Sequence, residues 1–242
     1  MKPGTLYGIG IGPGDPELIT LKGARLISAC RNLFVPKART ASESVALAIA
    51  RPLVGPGVRI EELLFPMTAS REKLVERWEE AAARVAEVLT AGEDACFLTL
   101  GDPLLYSTYI YLLRALRRII PELKTVTVPG ITAVSAAAAL TDFPVGEGRE
   151  LVTIVPAADG LSAVRRALTA GGTIVLMKIG KRLPEVLDLL EEKGLLESGV
   201  FVSHATMAEQ RIETDLRRLK ADGPEAGYLS IILVHAGKQE KE

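Results

Sequence analysis

Apolar and polar residues alternate along this chain in blocks whose spacing predicts strands and helices in turn. In the first half, short and nearly continuous apolar runs predict five strands, at 5–12, 32–35, 58–65, 95–100 and 125–128. Pro36 should end the second strand, because proline has no N–H to donate to a neighbouring strand. Runs that are apolar at every position are typical of strands buried in a parallel sheet.

Between these strands, apolar residues recur at helical spacing. The clearest helix covers 74–91, where Leu74, Trp78 and Val85 fall on one face with glutamates and arginines between them. Gly92 should end this helix. The other helices predicted in the first part of the chain lie at 17–30, 45–53, 106–120 and 133–140.

The second half repeats the alternation after a loose segment at 141–150. Its predicted strands lie at 151–156, 173–177, 200–204 and 228–235, and its predicted helix lies at 183–193. Alternating strands and helices indicate an α/β architecture. We expect two domains, 1–128 and 129–242, with a boundary that falls between 120 and 150.

The first predicted strand is unusually rich in glycine. Gly8, Gly10 and Gly12 leave it with few side chains, and a Pro-Gly-Asp turn follows directly. Such glycines are typical of a main chain that turns sharply or approaches a ligand. A dinucleotide-binding loop would need glycine where this chain has Pro13, so that motif is excluded. A plain strand-to-helix turn remains the alternative for this segment alone.

Two further turns resemble the first in position. The apolar strands at 95–100 and 125–128 are followed by Gly101-Asp102-Pro103 and by Pro129-Gly130-Ile131-Thr132. In open α/β sheets, ligands bind at the carboxyl ends of the strands. Three such turns therefore predict a shared ligand site that is built largely from main-chain groups.

Composition and charge narrow the class of protein. Nearly half of the residues are apolar and the formal net charge is −1, which argues against binding nucleic acid by bulk charge. Cys30 and Cys96 are distant in sequence and lack metal-ligand spacing, so we interpret them as reduced core thiols and expect no protein-bound metal. No signal peptide or long apolar run is present, and the expected location is the cytoplasm without a membrane partner.

Several motifs together resemble the tetrapyrrole (corrin/porphyrin) methylase family over essentially the whole chain. These are GIGPGDPELITLK (10–22), GDPLLYS (101–107), PGITA (129–133) and an apolar strand that ends in Met177. Further stretches are similar to the precorrin-2/cobalt-factor II C20-methyltransferase subgroup. They are LFVPKAR (33–39), LLFPMTASREKLVERW (63–78), LTLGDPLLYSTY (98–109), VLMKIGK (175–181) and ATMAEQRI (205–212).

The resemblance implies the tetrapyrrole methylase fold of class III methyltransferases, with two α/β domains, a cleft between them and a homodimer. It also implies S-adenosyl-L-methionine as methyl donor and C20 of precorrin-2 or cobalt-factor II in cobalamin biosynthesis as the acceptor. Another tetrapyrrole methylase stays open as an alternative: a uroporphyrinogen-III C-methyltransferase, an enzyme for another corrin carbon, or the diphthine and ribosomal-RNA branches. A non-catalytic nucleotide-binding α/β module stays open as well.

The resemblance also implies which residues contact the donor. They are Pro13, Leu100, Gly101, Asp102, Ser107, Thr108, Thr132, Ala133, Met177, Ala205, Thr206, Leu229 and Ser230. Other members have Pro-Ala where this chain has Leu229-Ser230, so that contact differs from the family pattern. Each position also has a purely structural interpretation: Asp102 could start a turn, Thr132 could cap a helix, and Met177 could belong to the core.

The acceptor would carry several carboxylates, which favours a few convergent cations over a strongly basic surface. We predict Lys37, Arg39 and Lys178 as substrate-binding residues, each with solvation at the surface as its alternative. Asp102 is the predicted base or orienting group, with Tyr106 second. His204 and His235 end apolar strands and are interpreted as structural.

Overall fold

The computed structural model describes residues 2–38, 43–65, 71–158 and 160–237. The chain forms two compact units, Met1–Thr132 and Ala133–Glu242. No helix within the described ranges is long and apolar enough to cross a membrane.

The first unit is built on a five-stranded parallel sheet with the strand order β3-β2-β4-β1-β5. The strands are β1 (Thr5–Gly10), β2 (Asn32–Lys37), β3 (Arg59–Leu64), β4 (Ala95–Thr99) and β5 (Lys124–Val128). The helices are α1 (Leu21–Ala29), α2 (Val45–Ala50), α3 (Arg71–Thr90) and α4 (Tyr109–Ile119). Since all five strands are parallel, their carboxyl ends meet at one side of the sheet, here named the first carboxyl edge.

Strand β2 runs through Pro36, where the sequence predicted its end. Pro36 is paired with Leu63 of β3. The carbonyl of Lys37, the residue after Pro36, accepts a hydrogen bond from the Phe65 N–H. Along a parallel ladder successive residues face opposite neighbours, so the imide nitrogen of Pro36 faces β4. Pairing with β4 has already ended at Phe34, and the missing N–H therefore costs no hydrogen bond.

The core of the first unit lies mainly under α3 and α4. Trp78 of α3 stacks on Tyr111 of α4 with ring centroids 4.1 Å apart, and Val85 is fully buried. The apolar stripe predicted on α3 is therefore internal packing. Tyr109 is also fully buried, and a Cβ on Gly8 would overlap its ring, which explains why β1 has glycine at that position.

The second unit has a mixed sheet with the order β6-β7-β10-β8-β9. Its elements are α5 (Ala133–Thr141), β6 (Val152–Pro156), α6 (Ser162–Ala170), β7 (Thr173–Met177), α7 (Leu183–Glu192), β8 (Gly199–Ser203), β9 (Arg211–Glu213) and β10 (Ser230–His235). Strand β10 is antiparallel to both β7 and β8. The carboxyl ends of β7 and β8 therefore lie beside the amino end of β10, and this side is named the second ligand edge.

Candidate functional site

Two of the three glycine turns are joined by main-chain hydrogen bonds at the first carboxyl edge. The Gly101 N–H donates to the Gly12 carbonyl at 2.8 Å, and the Ile11 N–H donates to the Thr99 carbonyl at 3.0 Å. Gly12 and Gly101 have φ angles of 76° and 69°, in the left-handed region that glycine adopts without strain. The turns after β1 and β4 are thus fixed to each other without side chains.

Asp102 joins the second turn to the third. Its Oδ2 accepts a hydrogen bond from the Gly130 N–H at 3.1 Å, and its Oδ1 accepts one from the Leu104 N–H at 2.8 Å. Both carboxylate oxygens therefore hold main-chain amides, an arrangement that orients the two turns. The structure places Asp102, Leu100 and Thr132 at this edge, all partly exposed.

The three turns approach so closely that no side chain fits between them. A Cβ on Gly10 would lie 2.6 Å from the Gly101 carbonyl oxygen and 2.6 Å from the Gly130 nitrogen. A Cβ on Gly130 would overlap the Gly101 oxygen as well. The sequence pattern predicted the three turns, but it did not reveal that the main chains of Gly10 and Gly130 are in close contact, so that neither position has room for a Cβ. The signal that could have found this is the glycine at the end of β1, the strand that lies between β4 and β5.

The predicted donor contacts after the second turn lie before α4, not within it. Tyr106 has a φ of 51°, in the left-handed region, so the helix predicted from 106 begins only at Tyr109. Ser107 is buried, its Oγ accepts a hydrogen bond from the Tyr109 N–H at 3.1 Å and lies 2.8 Å from the Thr99 Oγ1. Ser107 therefore holds the first amide of α4, while Thr108, the N-cap residue, is partly exposed.

The second ligand edge collects the predicted donor residues of the second unit. Ser230 is paired with Ser203 of β8, and Met177 ends the neighbouring strand β7. The His204 N–H donates to the Leu229 carbonyl at 3.0 Å, so the two loops are joined by main chain here too. Within this unit, the predicted residues therefore lie at or next to the ends of neighbouring strands: Met177 ends β7, Ala205 and Thr206 follow β8, and Leu229 and Ser230 are at the start of β10.

Left-handed backbone at non-glycine residues is concentrated at the second ligand edge. Among the described residues it occurs there at Lys178 (55°), His204 (48°), Thr206 (62°) and Leu229 (46°), expressed as φ. Such conformations cost about 1–3 kcal/mol each and cluster at functional sites. The edge therefore has the backbone signature of a ligand site. Gly227, which the sequence analysis missed, packs so tightly on Gly180 that a Cβ would overlap the Gly180 oxygen.

The predicted substrate cations differ in their surroundings. Lys37 Nζ forms an ion pair with Glu62 at 2.7 Å, and the hydrogen bond from Lys37 lowers the pKa of the Glu62 carboxyl. Lys178 follows Met177 with an exposed side chain, yet desolvation by the surrounding protein lowers the pKa of its ammonium group. Arg39 lies outside the described residues. Lys37 thus has a structural partner, whereas Lys178 lies at the second ligand edge.

The histidines have structural surroundings. His235 Nδ1 lies 2.9 Å from the Thr173 Oγ1, and its ring stacks on Phe143 at a centroid distance of 4.2 Å. His204 has its ring 5.8 Å from that of Tyr228. Across the part of the chain that the structure describes, no three His, Cys, Asp or Glu side chains form a group suited to a metal ion.

Comparison with known proteins identifies the class to which this fold and these edges belong. The profile of the Tetrapyrrole (Corrin/Porphyrin) Methylases matches residues 5–220. The chain therefore belongs to the tetrapyrrole methylase family, as the sequence motifs predicted.

Individual relatives match almost from end to end. The Cobalt-precorrin-2 C(20)-methyltransferase of Salmonella typhimurium is 33% identical over 232 residues, 96% of each chain. The Precorrin-2 C(20)-methyltransferase of Sinorhizobium sp is 31% identical over 244 residues, 97% of this chain and 96% of the relative. The Probable cobalt-precorrin-2 C(20)-methyltransferase of Methanocaldococcus jannaschii is 33% identical over 207 residues, 86% of this chain and 85% of the relative.

Solved structures of the family share the fold. A cobalt precorrin-4 methyltransferase superposes with a TM-score of 0.74 at 22% identity, covering 96% of this chain and 94% of the other. The uroporphyrin III C-methyltransferase of Thermus thermophilus gives a TM-score of 0.69 at 20% identity, covering 96% and 92%. At such identities the likeness concerns the fold alone, and it confirms the predicted tetrapyrrole methylase fold.

Proposed function

We propose that this protein is an S-adenosyl-L-methionine-dependent C-methyltransferase that acts on C20 of precorrin-2 or cobalt-factor II in cobalamin biosynthesis. The proposal is supported by relatives named cobalt-precorrin-2 and precorrin-2 C(20)-methyltransferase, whose matches cover 96% and 97% of this chain and 96% of each relative. The observation that carries it in this chain is the first carboxyl edge, where three glycine turns are locked together by the Gly101–Gly12 and Gly130–Asp102 hydrogen bonds.

The residues at the first carboxyl edge suit the methyl donor chemically. The donor is a nucleoside with an amino-acid tail, and it needs main-chain donors and acceptors beside small side chains. A Cβ on Gly101 would meet no atom within 4 Å, so open space adjoins this turn. We assign Pro13, Leu100, Gly101, Asp102, Ser107, Thr108, Thr132 and Ala133 to the donor. Ser107 would act mainly by fixing the start of α4, because its hydroxyl is already bonded.

The donor supplies a methyl group that its sulfonium already activates, so transfer to carbon needs no covalent intermediate. The protein's part is then to align the reactants and exclude water, which can lower a barrier by several kcal/mol. Asp102 would orient the turns through its two amide bonds. Tyr106, 38% exposed and held with positive φ, is the second candidate to contact the reacting groups.

Met177, Ala205, Thr206, Leu229 and Ser230 are proposed as the remaining donor contacts. Their support is the strained and main-chain-linked backbone of the second ligand edge, with Leu229 at a φ of 46°. That one donor molecule uses both edges stays a prediction from the family resemblance. The homodimer is proposed on the same basis, and the cytoplasmic location is proposed as the sequence analysis predicted it.

The assay that tests the proposal supplies the donor and follows the fate of three acceptors: precorrin-2, its cobalt complex and uroporphyrinogen III. The expected product has one added methyl group, located at C20 by mass spectrometry and NMR. Preference between the first two acceptors distinguishes the metal-free substrate from the cobalt-containing one. Methylation of uroporphyrinogen III alone would contradict the proposed substrate. Donor binding without any transfer would favour a non-catalytic nucleotide-binding module.

Acceptor anchoring is tested at Arg39. A buried carboxylate must be paired, and a guanidinium can hold it through two hydrogen bonds, which lysine cannot reproduce. Arg39→Ala should raise the KM for the tetrapyrrole by the equivalent of about 1.5–3 kcal/mol and leave donor affinity unchanged. Arg39→Lys should restore part of the loss. Equal KM values in steady-state kinetics of all three proteins would remove Arg39 from the site.

A further inference from the structure

A cavity of about 580 Å³ opens at the side of the first sheet opposite to the glycine turns. It is lined by the end of α1, by the amino ends of β2 and β4, and by the loop before β4. Both cysteines of the chain, Cys30 and Cys96, lie in its wall. The sequence analysis interpreted them as separate core thiols, whereas the fold brings them together.

The parallel pairing of β2 with β4 places the two cysteines at the same end of the first sheet. Cys96 is paired with Leu33, and Cys30 precedes β2 by two residues with its Sγ turned forward to the Asn32 carbonyl at 3.0 Å. The Cys30 thiol donates this hydrogen bond, and the Cys96 side chain is hydrogen-bonded to the Cys30 sulfur. The Cys96 Sγ lies 3.9 Å from the Leu26 carbonyl.

The surroundings make the two thiols unequal. The hydrogen bond with the Cys96 side chain and, to a smaller extent, backbone hydrogen bonding at Asn32 and Cys96 lower the pKa of Cys30, against the opposing effects of burial and of the Asp94 charge. The same contact, together with burial, raises the pKa of Cys96. Cys30 is partly exposed and Cys96 is only 2% exposed. Since the thiolate is the nucleophile, Cys30 is the reactive member of the pair.

We propose that Cys30 and Cys96 form an oxidation site that peroxides convert to a disulfide. The Cys30 thiolate attacks one oxygen of hydrogen peroxide, the O–O bond breaks, and hydroxide leaves and takes up a proton as water. Cys30 becomes a sulfenic acid. The Cys96 sulfur then attacks the Cys30 sulfur, the S–O bond breaks, and the Cys96 proton leaves with the oxygen as a second water. Each sulfur is oxidised by one electron equivalent and the peroxide is reduced by two.

Mass spectrometry of the full-length protein tests the proposal. After brief treatment with stoichiometric hydrogen peroxide and alkylation of free thiols, trypsin should release peptide 26–31 joined to peptide 85–114. The joined pair should be lighter than the two peptides by two hydrogens and should disappear on reduction with dithiothreitol. Recovery of both peptides fully alkylated, or oxidation of Cys96 without the link, would overturn the proposal.

Two variants assign the roles. Cys30→Ser, at a partly exposed position, should slow peroxide consumption about tenfold or more and leave Cys96 alkylatable only after unfolding. Cys96→Ser should keep a Cys30 sulfenic acid that dimedone traps. Should that variant fail to fold, a transient dimedone adduct confined to peptide 26–31 of the wild type carries the same information. Equal peroxide consumption by the wild type and Cys30→Ser contradicts the assignment. Saturating S-adenosyl-L-methionine should not change the rate, because the thiols lie away from the glycine turns.

Discussion

At the scale of single residues, the site depends on glycines, because a Cβ atom would not fit between the turns. Gly10 ends β1 between the turns that follow β4 and β5, and a Cβ there would lie 2.6 Å from atoms of both Gly101 and Gly130. The sequence predicted three turns at strand ends but not their contact, because the distance between turns depends on the order of the strands. The same limit applies to Lys37, whose partner Glu62 lies on a strand that only the pairing of β2 with β3 brings near.

Gly10→Ala tests the closeness of the turns. The added methyl group must push the Gly101 and Gly130 main chains apart, so we expect a loss of about 1–3 kcal/mol in the free energy of unfolding. Affinity for S-adenosyl-L-methionine should fall as well, measured by calorimetry on the folded fraction. Gly223→Ala is the matched control, because no atom lies within 4 Å of its added Cβ. Equal stability and donor affinity in the two variants would contradict the packing argument.

Lys37→Met separates a structural role from a substrate role. Glu62 has a lowered pKa in the folded state because Lys37 lies beside it. The ion pair therefore stabilises the fold above the ordinary pKa of glutamate and loses this effect as the pH falls through the lower folded-state value. We expect the variant to lose about 1 kcal/mol of stability at neutral pH and progressively less in acid, measured by urea unfolding.

The control for Lys37→Met is Arg165→Met, whose pair with Glu192 has both side chains about half exposed. That variant should change stability little at any pH. A Lys37→Met protein of wild-type stability but with a raised KM for the tetrapyrrole would restore Lys37 to the acceptor site.

At the scale of elements, the apolar runs predicted most of the strands and helices. Strand β7 has the predicted bounds Thr173–Met177, and α5 begins at Ala133 as predicted. Two elements were missed, α6 (Ser162–Ala170) and β9 (Arg211–Glu213), and β9 has only partly buried residues and three positions. The predicted helix at 106–120 was wrong at its start, since Tyr106 adopts a positive φ and α4 begins at Tyr109 after its N-cap residue Thr108.

Ser107→Ala tests the hydrogen bond by which Ser107 holds the first amide of α4. The variant removes the acceptor of the Tyr109 N–H and leaves the buried Thr99 hydroxyl without its Ser107 partner. We expect a loss of about 1–2 kcal/mol in the free energy of unfolding. Ser162→Ala, at an exposed position in the first turn of α6, is the control and should be near neutral. Chemical denaturation of both variants measures these changes in stability. An unchanged midpoint for Ser107→Ala would refute the role of Ser107 at the start of α4.

At the scale of the whole molecule, each unit has its own core. Val85, Phe97 and Leu112 are buried in the first, and Leu176, Leu190 and Phe201 in the second. The motifs that predicted the family lie at strand ends in both units. The sequence could not predict the surroundings of single side chains, which depend on contacts between residues that are distant along the chain.

The predicted homodimer is the test at this scale. Light scattering at micromolar concentration should give twice the chain mass of 25.9 kDa. The apolar stripe of α3 is occupied by α4, so its polar face should lie outside the interface. Glu76→Lys, an exposed change on α3, should therefore leave the mass unchanged. A monomeric wild type would contradict the prediction.

The main-chain construction of the first carboxyl edge has a consequence for how this protein can be studied. Alanine scanning removes side-chain atoms, but Gly10, Gly12, Gly101 and Gly130 have none to remove. A scan would therefore report Asp102 and pass over the amides that the site is made of. Replacing the Gly101 peptide bond by an ester would delete the N–H that donates to the Gly12 carbonyl at 2.8 Å while every side chain stays in place. Backbone chemistry therefore removes single amides of this site, which a side-chain substitution can only displace.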